Sequence, residues 1–187
     1  MRVISGDLKG KKLSDPLDKS TRPLKDRVRE SIFNILEHSN KVSAEIYNAK
    51  VLDLFSGTGS FGIECLSRGA EKVIFFENYY NSLKILKHNI FNLKLENKST
   101  IYNYSAYNLK DSNLENTIFD IIFLDPPFKD KEVKSLIDQL KKLKVVSRHS
   151  IIVIHRNKKS DDKISQFLNI IEEKNYGLSK ILFCKLI

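Results

Sequence analysis

The chain has 187 residues, of which 41% are hydrophobic, so it can form one domain with a packed core and is not disordered by composition. No apolar run approaches the roughly 18 residues that span a membrane, and residues 1–6 lack the apolar stretch of a secretion signal. With 32 Lys and Arg against 23 Asp and Glu, the net charge of +9 favours a polyanionic partner, although a solvated lysine-rich surface would have the same composition.

The first 40 residues are predicted to form a small hairpin followed by a helix. Residues 2–5 and 11–13 have the pattern of short strands around a glycine-bearing turn. Pro23 is predicted to open the helix after a cap at Thr21 or Arg22, and apolar residues then recur at helical spacing. We expect the basic side chains to lie largely on the other side of this helix. Basic residues crowd this part of the chain: Arg2, Lys9, Lys11, Lys12, Lys19, Arg22, Lys25, Arg27 and Arg29.

From residue 50 onward strand and helix patterns alternate, which predicts an α/β fold with a parallel sheet and right-handed crossovers. Strands are predicted at 50–54, 72–77, 99–103, 119–124 and 150–155, and helices at 60–68, 79–93, 129–143 and 161–168. The tail differs, because residues 168–172 and 180–187 have strand patterns with no room for a helix between them. They should pair as an antiparallel hairpin at the end of a mostly parallel, seven-stranded sheet.

The cysteine and histidine residues carry little functional signal. Cys65 and Cys184 fall in apolar segments and are expected as buried free thiols, which predicts a cytoplasmic protein. The four histidines are scattered without metal-ligand spacing, so no metal site is predicted.

The segment after the first predicted strand has the pattern Gly57-x-Gly59-x-x-Gly62, whose glycines let the backbone turn sharply beside a ligand. Taken alone, this loop also fits a dinucleotide, whose pyrophosphate would lie at the start of the following helix. Asp53 precedes the loop and would repel a pyrophosphate, whereas it suits a ligand with an ammonium and a sulfonium group. Glu77 ends the second strand, where an acid can accept the hydrogens of both ribose hydroxyls. These features predict S-adenosylmethionine as the cofactor.

The predicted cofactor contacts lie in three loops at the carboxyl ends of the first three strands. After the third strand, Ser105 is expected to reach the adenine ring. The alternative interpretation is that Asp53 caps a helix and Glu77 is a solvated strand end. The full set of predicted cofactor contacts is Asp53, Phe55, Ser56, Gly57, Thr58, Gly59, Glu77, Asn78, Ser105 and Ala106.

The tetrapeptide Asp125-Pro126-Pro127-Phe128 follows another apolar strand and supplies the predicted catalytic residues. Its prolines fix the backbone and remove two N–H donors, which leaves the Asp125 carboxylate and the two proline carbonyls as acceptors. Two acceptors can hold the hydrogens of an exocyclic base amine and turn its lone pair towards a methyl group, while Phe128 stacks on the base. A stiff turn capped by Asp125 is the alternative.

Together these motifs resemble those of nucleic-acid amino-methyltransferases, and more narrowly those of the bacterial 16S ribosomal RNA (guanine-N2)-methyltransferase family. The resemblance spans nearly the whole chain and includes residues 2–6, 10–13, 53–59, 77 and 125–128. Its most family-specific part is the block Arg22-Pro23-x-x-Asp26-Arg27-Val28-Arg29-Glu30-x-x-Phe33-Asn34. The chain departs from the family at Ser105, where relatives often carry Asp or Asn, and near His155, where relatives often carry Glu.

The resemblance implies a Rossmann-like methyltransferase domain over residues 41–187 and an RNA-binding hairpin and helix over residues 1–40. It implies methyl transfer from S-adenosylmethionine to the exocyclic N2 amine of a guanine in 16S ribosomal RNA, within an assembling or assembled small ribosomal subunit. We expect a monomer without a membrane partner. The predicted substrate-binding residues are Arg22, Lys25, Arg27 and Arg29.

Three other functions fit parts of the pattern. A DNA adenine or cytosine amino-methyltransferase shares the chemistry, but it usually needs a separate DNA-reading domain, for which this chain has little room. An NAD(P) oxidoreductase would use the glycine loop and leave residues 125–128 without a purpose. A catalytically inert RNA-binding module would need neither loop.

Overall fold

The computed structural model describes residues 1–18, 24–42, 44–114 and 117–187, and within them one mixed sheet of seven strands in the order β3-β2-β1-β4-β5-β7-β6. The strands are β1 (Lys50–Leu54), β2 (Lys72–Phe76), β3 (Ser99–Tyr102), β4 (Ile121–Leu124), β5 (Ile151–Asn157), β6 (Leu168–Tyr176) and β7 (Ser179–Leu186). The α-helices of the described residues are α1 (Asp26–His38), α2 (Ser60–Ser67), α3 (Tyr80–Asn92) and α4 (Val133–Lys142).

Strands β1 to β5 pair in parallel, and β7 runs antiparallel to both β5 and β6. The inner strands are nearly continuous runs of buried apolar residues, as expected where helices cover both faces of a parallel sheet. The prediction of a mostly parallel seven-stranded sheet with an antiparallel C-terminal hairpin is therefore confirmed.

The N-terminal hairpin and α1 share a hydrophobic core with one face of the sheet. Val3 and Leu13 of the hairpin and Phe33 of α1 belong to the same buried cluster as Phe61 of α2. The hairpin is held by backbone hydrogen bonds, such as those from Val3 N to Lys11 O at 2.9 Å and from Leu13 N to Met1 O at 3.0 Å. Helix α4 covers the opposite face through a second apolar cluster. The assignment of residues 1–40 to RNA binding stays a prediction.

One predicted helix is wrong. Over residues 161–168 the structure has only a short 3-10 turn, Ile164–Gln166. The Asp162 side chain is engaged by Arg156, and Leu168 already begins β6, so too few residues remain for an α-helix. Helix α1 begins at Asp26, with Lys25 as its N-cap, and the predicted cap and first turn at residues 21–23 lie outside the described residues. In the described part of the chain, no helix combines the length and the apolar character needed to cross a membrane.

Candidate active site

The carboxyl ends of β1, β2, β4 and β5 surround a cavity of about 460 Å³. The sheet extends in opposite directions from β1 and β4, and the crevice at such a switch point is where α/β sheets bind ligands. The two predicted loops therefore meet in one place, although they lie about 70 residues apart in sequence. The cavity is lined by Leu24, Phe55, Ser56, Gly57, Thr58, Ser60, Phe61, Glu77, Asn78, Tyr79, Ser82, Phe123, Asp125, Pro126, Pro127, Phe128 and His155.

The loop after β1 is tied to the neighbouring elements by hydrogen bonds. The backbone N–H and the hydroxyl of Ser56 both donate to the Phe76 carbonyl, at 3.0 and 3.1 Å. The side-chain amide of Asn89 on α3 donates to the Thr58 carbonyl at 3.0 Å. These contacts attach the loop to β2 and to α3.

The glycines of this loop have different physical roles. Gly59 caps α2 with φ of +84°, a left-handed conformation that favours glycine. A Cβ at Gly62 would lie 2.3 Å from the Phe75 ring, so the third glycine is needed for α2 to pack closely on β2. Gly57 lines the cavity, whereas Gly59 does not.

Glu77 joins the loops that follow β1 and β2. One oxygen of its carboxylate accepts the Gly57 N–H and the other accepts the Tyr79 N–H, both at 2.7 Å. Burial raises the pKa of Glu77, and these two backbone hydrogen bonds oppose the rise. The carboxylate lies in the cavity wall, where it can also accept hydrogen bonds from ligand hydroxyls.

Asp53 lies behind the loop and not among the residues that line the cavity. Its side chain is buried; Oδ2 accepts the Gly62 N–H at 3.0 Å, and Oδ1 has no hydrogen-bond partner within the described residues. Burial raises the pKa of Asp53 to about 8 against the opposing bond from Gly62, and the charges of Asp125 and Glu77 add to the rise. Asp53 thus holds the start of α2 behind the loop by accepting the Gly62 N–H. Its direct contact with a cofactor stays a prediction.

The charge of the cavity is opposite to that of the whole chain. Glu77 and Asp125 line it, and no Lys or Arg of the described residues is in its wall. An acidic cavity repels a pyrophosphate and attracts a sulfonium or an ammonium group. The residues present therefore fit S-adenosylmethionine and disfavour a dinucleotide.

The acceptor loop lies across the cavity from Glu77. Asp125 N donates to the Leu54 carbonyl at 3.3 Å, which anchors the loop to β1. The Pro127 carbonyl accepts from Asp130 N at 2.9 Å and from Arg156 Nη1 at 3.0 Å, so both of its lone pairs are used within the protein. The prediction that this carbonyl is available to a substrate is wrong. Among the described residues no donor bonds the Pro126 carbonyl, which remains an acceptor beside Asp125.

Arg156, which is not among the predicted site residues, holds the acceptor loop from β5. Its guanidinium is buried, and it donates to the carbonyls of Pro127 and Asp130 at 3.0 and 2.5 Å. Asp162 accepts from Nε and Nη2 at 2.7 and 2.9 Å, a forked pairing that fits the guanidinium plane. The available signal was the end of this strand, where an apolar run is followed by three polar residues, His155, Arg156 and Asn157.

His155 contacts the predicted catalytic acid directly. Its Nδ1 lies 2.8 Å from Asp125 Oδ1, and its ring forms a T-shaped contact with the Phe128 ring, with the centroids 5.4 Å apart. In the sequence, this position differs from the family pattern and has no other distinguishing feature. The structure places it in the cavity wall.

The segment after β3 does not reach the cavity. Ser105 accepts backbone N–H groups from Tyr107 and Asn108 within its own turn, and Ala106 is buried in the apolar cluster on the α4 side of the sheet. Neither residue lines the cavity. Their predicted contact with an adenine ring stays a prediction.

The predicted substrate-binding residues of the N-terminal segment do not share one environment. Lys25 and Arg27 are exposed, whereas Arg22 lies outside the described residues. Arg29 is 0% exposed and donates to the Arg2 carbonyl and to Asp26, and burial lowers its pKa. Its prediction as a surface cation is wrong, because Arg29 precedes Ile32, Phe33 and Leu36 at the spacing of the buried face.

The fold and the site together define a methyltransferase of the Rossmann-like class. A family model described as "Conserved hypothetical protein 95" matches residues 1–185. The chain belongs to this family.

Relatives of known name support this assignment. "Ribosomal RNA small subunit methyltransferase D" of Buchnera aphidicola subsp. Acyrthosiphon pisum is 35% identical over 178 residues, covering 95% of this chain and 85% of that protein. The protein of the same name from Haemophilus influenzae is 30% identical over 179 residues, covering 95% and 90%. The solved structure of yhhF from Escherichia coli has a TM-score of 0.82 at 27% identity, covering 100% of this chain and 97% of that chain. The family that the sequence motifs resemble is thereby confirmed.

Proposed function

We propose that this protein transfers the methyl group of S-adenosylmethionine to the exocyclic N2 amine of a guanine in 16S ribosomal RNA. The observation that carries the proposal is the single acidic cavity lined both by the glycine loop with Glu77 and by Asp125, Pro126 and Phe128. Two similar proteins are named as methyltransferases of the small-subunit ribosomal RNA. The guanine N2 position rests on the family resemblance of the motifs.

The residues of the acceptor loop suit an exocyclic amine. The Asp125 carboxylate and the Pro126 carbonyl can each accept one amine hydrogen, which directs the nitrogen lone pair away from the ring plane. S-adenosylmethionine, when bound, supplies a methyl group on a positively charged sulfur. As the amine nitrogen gains the methyl group it becomes positive and must lose a proton, and Asp125 or a water molecule accepts it.

A guanine can enter this cavity only as an unstacked base. The cavity lies at the carboxyl ends of the parallel strands, where a paired base within a helix cannot reach it. Phe128 lines the cavity, and stacking of a base on its ring contributes about 1–3 kcal/mol to binding. The exposed Lys25 and Arg27, together with Arg22, would bind the phosphates on either side of the extruded nucleotide. We propose that the N-terminal segment supplies these contacts to a monomeric enzyme acting on the small subunit or its precursor.

Methyl transfer to defined nucleic acids tests this function. The protein is incubated with isotope-labelled S-adenosylmethionine and with 16S ribosomal RNA, small subunits or genomic DNA from cells that lack the gene. Nucleosides are then separated by mass spectrometry. We expect labelled 2-methylguanosine in the 16S ribosomal RNA. A labelled amino-methylated adenine or cytosine in DNA would instead support the DNA methyltransferase, and the absence of label in every substrate would contradict both.

A further inference from the structure

His155 is a buried polar side chain whose two ring nitrogens both have partners. It is 6% exposed and lies in the cavity wall at the carboxyl end of β5. Nδ1 lies 2.8 Å from Asp125 Oδ1, and Nε2 lies 2.9 Å from the Ser179 hydroxyl. A histidine held at both nitrogens beside the acceptor-binding acid has a definite orientation.

The partners determine which nitrogen carries the proton. An ionised carboxylate can only accept, so Nδ1 must donate to Asp125 Oδ1. In a neutral imidazole Nε2 is then an acceptor, and the Ser179 hydroxyl, which can act in either sense, donates to it. With a neutral imidazole and an ionised carboxylate, the hydrogen bonds therefore run in one direction, from Ser179 through His155 to Asp125.

Two of the three residues in this series belong to strands of the sheet. His155 is on β5 and Ser179 begins β7, and these strands pair directly with Asn157 opposite Ser179. Asp125 belongs to a loop, and in the described residues its Oδ2 has no hydrogen-bond partner. The sheet thus fixes one carboxylate oxygen and leaves the other for a ligand in the cavity.

We propose that His155 is a positioning residue for methyl transfer, which holds Oδ1 of Asp125 so that Oδ2 faces the methyl-accepting amine. Ser179 fixes the tautomer of His155 that can do this. The inference rests on the proposed function, because it assigns Asp125 to the acceptor amine. Because His155 acts on the orientation of the acceptor amine, loss of its hydrogen bond should lower turnover and leave the affinity for the cofactor unchanged.

Kinetics of two substitutions test the role of the hydrogen bond. His155→Phe fills the space but cannot donate, whereas His155→Asn keeps a donor near the position of Nδ1. We expect His155→Phe to lower kcat about 10- to 100-fold while the affinity for S-adenosylmethionine stays within about threefold, and His155→Asn to recover part of the loss. The exposed His149, changed to Phe, is the matched control. Unchanged kcat in His155→Phe, equal losses in kcat and cofactor affinity, or equal rates of the two variants would overturn the proposal.

A second measurement does not depend on activity. The protein is labelled with ¹⁵N-histidine and studied by NMR. Of the signals from the four histidines, those that are lost in His155→Phe are assigned to His155. We expect the proton on Nδ1 and none on Nε2, and the Nδ1 proton signal to be lost or shifted in Asp125→Ala. An unprotonated Nδ1 would overturn the proposal. Failure of the unmodified protein to methylate 16S ribosomal RNA would contradict the proposed function alone, because the NMR result reports the Asp125–His155 pair directly.

Discussion

At the scale of single residues, the burial of Asp53 disfavours the ionised form of its carboxyl group. Its carboxyl is buried with one oxygen bonded to the Gly62 N–H, and the other has no partner in the described part of the chain. In the folded protein its pKa rises from 3.8 to about 8. Between these values the folded protein keeps a proton that the unfolded chain has released, so this group lowers stability as the pH rises through that range.

Replacing Asp53 by Asn should therefore stabilise the protein in a pH-dependent way. We expect Asp53→Asn to raise Tm at pH 8 by at least about 2 °C, and to raise it less at pH 5. Because pH 5 lies only a little above the pKa of Asp53 in the unfolded chain, Asp53 lowers the stability of the folded protein less at that pH. Thermal melting at both pH values, with the exposed Asp161→Asn as the control, measures the effect. A gain of equal size at pH 5 and pH 8 would contradict the assigned pKa.

Glu77 and Asp125 face the same cavity but should affect different steps. Glu77→Ala removes a charge-assisted acceptor worth about 1.5–3 kcal/mol, so calorimetry should show S-adenosylmethionine binding weakened about tenfold or more.

Asp125→Ala should abolish turnover and leave cofactor affinity within about tenfold, because its contact matters at the reacting amine. Turnover that survives in Asp125→Ala would mean that the acceptor is held elsewhere.

At the scale of elements, β5 determines the shape of the acceptor loop. Arg156 satisfies two loop carbonyls and is itself held by Asp162. The rigidity of the loop thus depends on a neighbouring strand as well as on its prolines. Pro126 and Pro127 restrict the local backbone, and Arg156 decides where that stiff segment lies relative to the cavity.

Removing the guanidinium should destabilise the fold. Arg156→Ala leaves Asp162 without its buried partner, and we expect a loss of about 3 kcal/mol in the free energy of unfolding. Arg156→Lys should recover only part of it, since an ammonium cannot make the forked contact. Urea denaturation measures both variants. Wild-type stability in Arg156→Ala would show that the loop is held by its prolines alone.

At the scale of the whole molecule, charge is divided between an acidic cavity and a basic exterior. The net charge of +9 coexists with a cavity wall in which no described residue is a Lys or an Arg. This division matches a cationic cofactor inside and a polyanion outside. Among the described residues of the predicted RNA-binding set, Lys25 and Arg27 are exposed and Arg29 is buried.

Replacing Lys25 and Arg27 together by Ala should weaken RNA binding at every sequence. Each lost phosphate contact should flatten the slope of log affinity against log salt by about 0.7–0.9. Binding of 16S fragments over a salt series measures the slope, and cofactor affinity should stay unchanged. The control pair is Lys98, which directly precedes β3, and Lys142, which ends α4, and both are exposed. An unaltered slope would indicate that Lys25 and Arg27 only form local surface pairs worth about 0–1 kcal/mol.

Much of the fold could be predicted because its signals are local. The spacing of hydrophobic residues and the positions of glycine and proline are patterns within short segments of the chain. These patterns predicted the parallel strands, the C-terminal hairpin and both loops of the cavity. Arg29 shows how the same signal can be misapplied. Its spacing from Ile32 and Phe33 assigns it to the buried face, but its charge led to a surface prediction.

The sequence by itself determined the class of fold, the family and the two loops that carry the chemistry, because each is encoded in a continuous segment. Only the tertiary structure decided how these loops are braced. Asp125 meets His155 across 30 residues and His155 meets Ser179 across 24, and such contacts depend on strand order and register, which no local pattern specifies. Burial likewise decided that Asp53 lies behind its loop and that the Pro127 carbonyl is engaged, since both follow from packing in three dimensions.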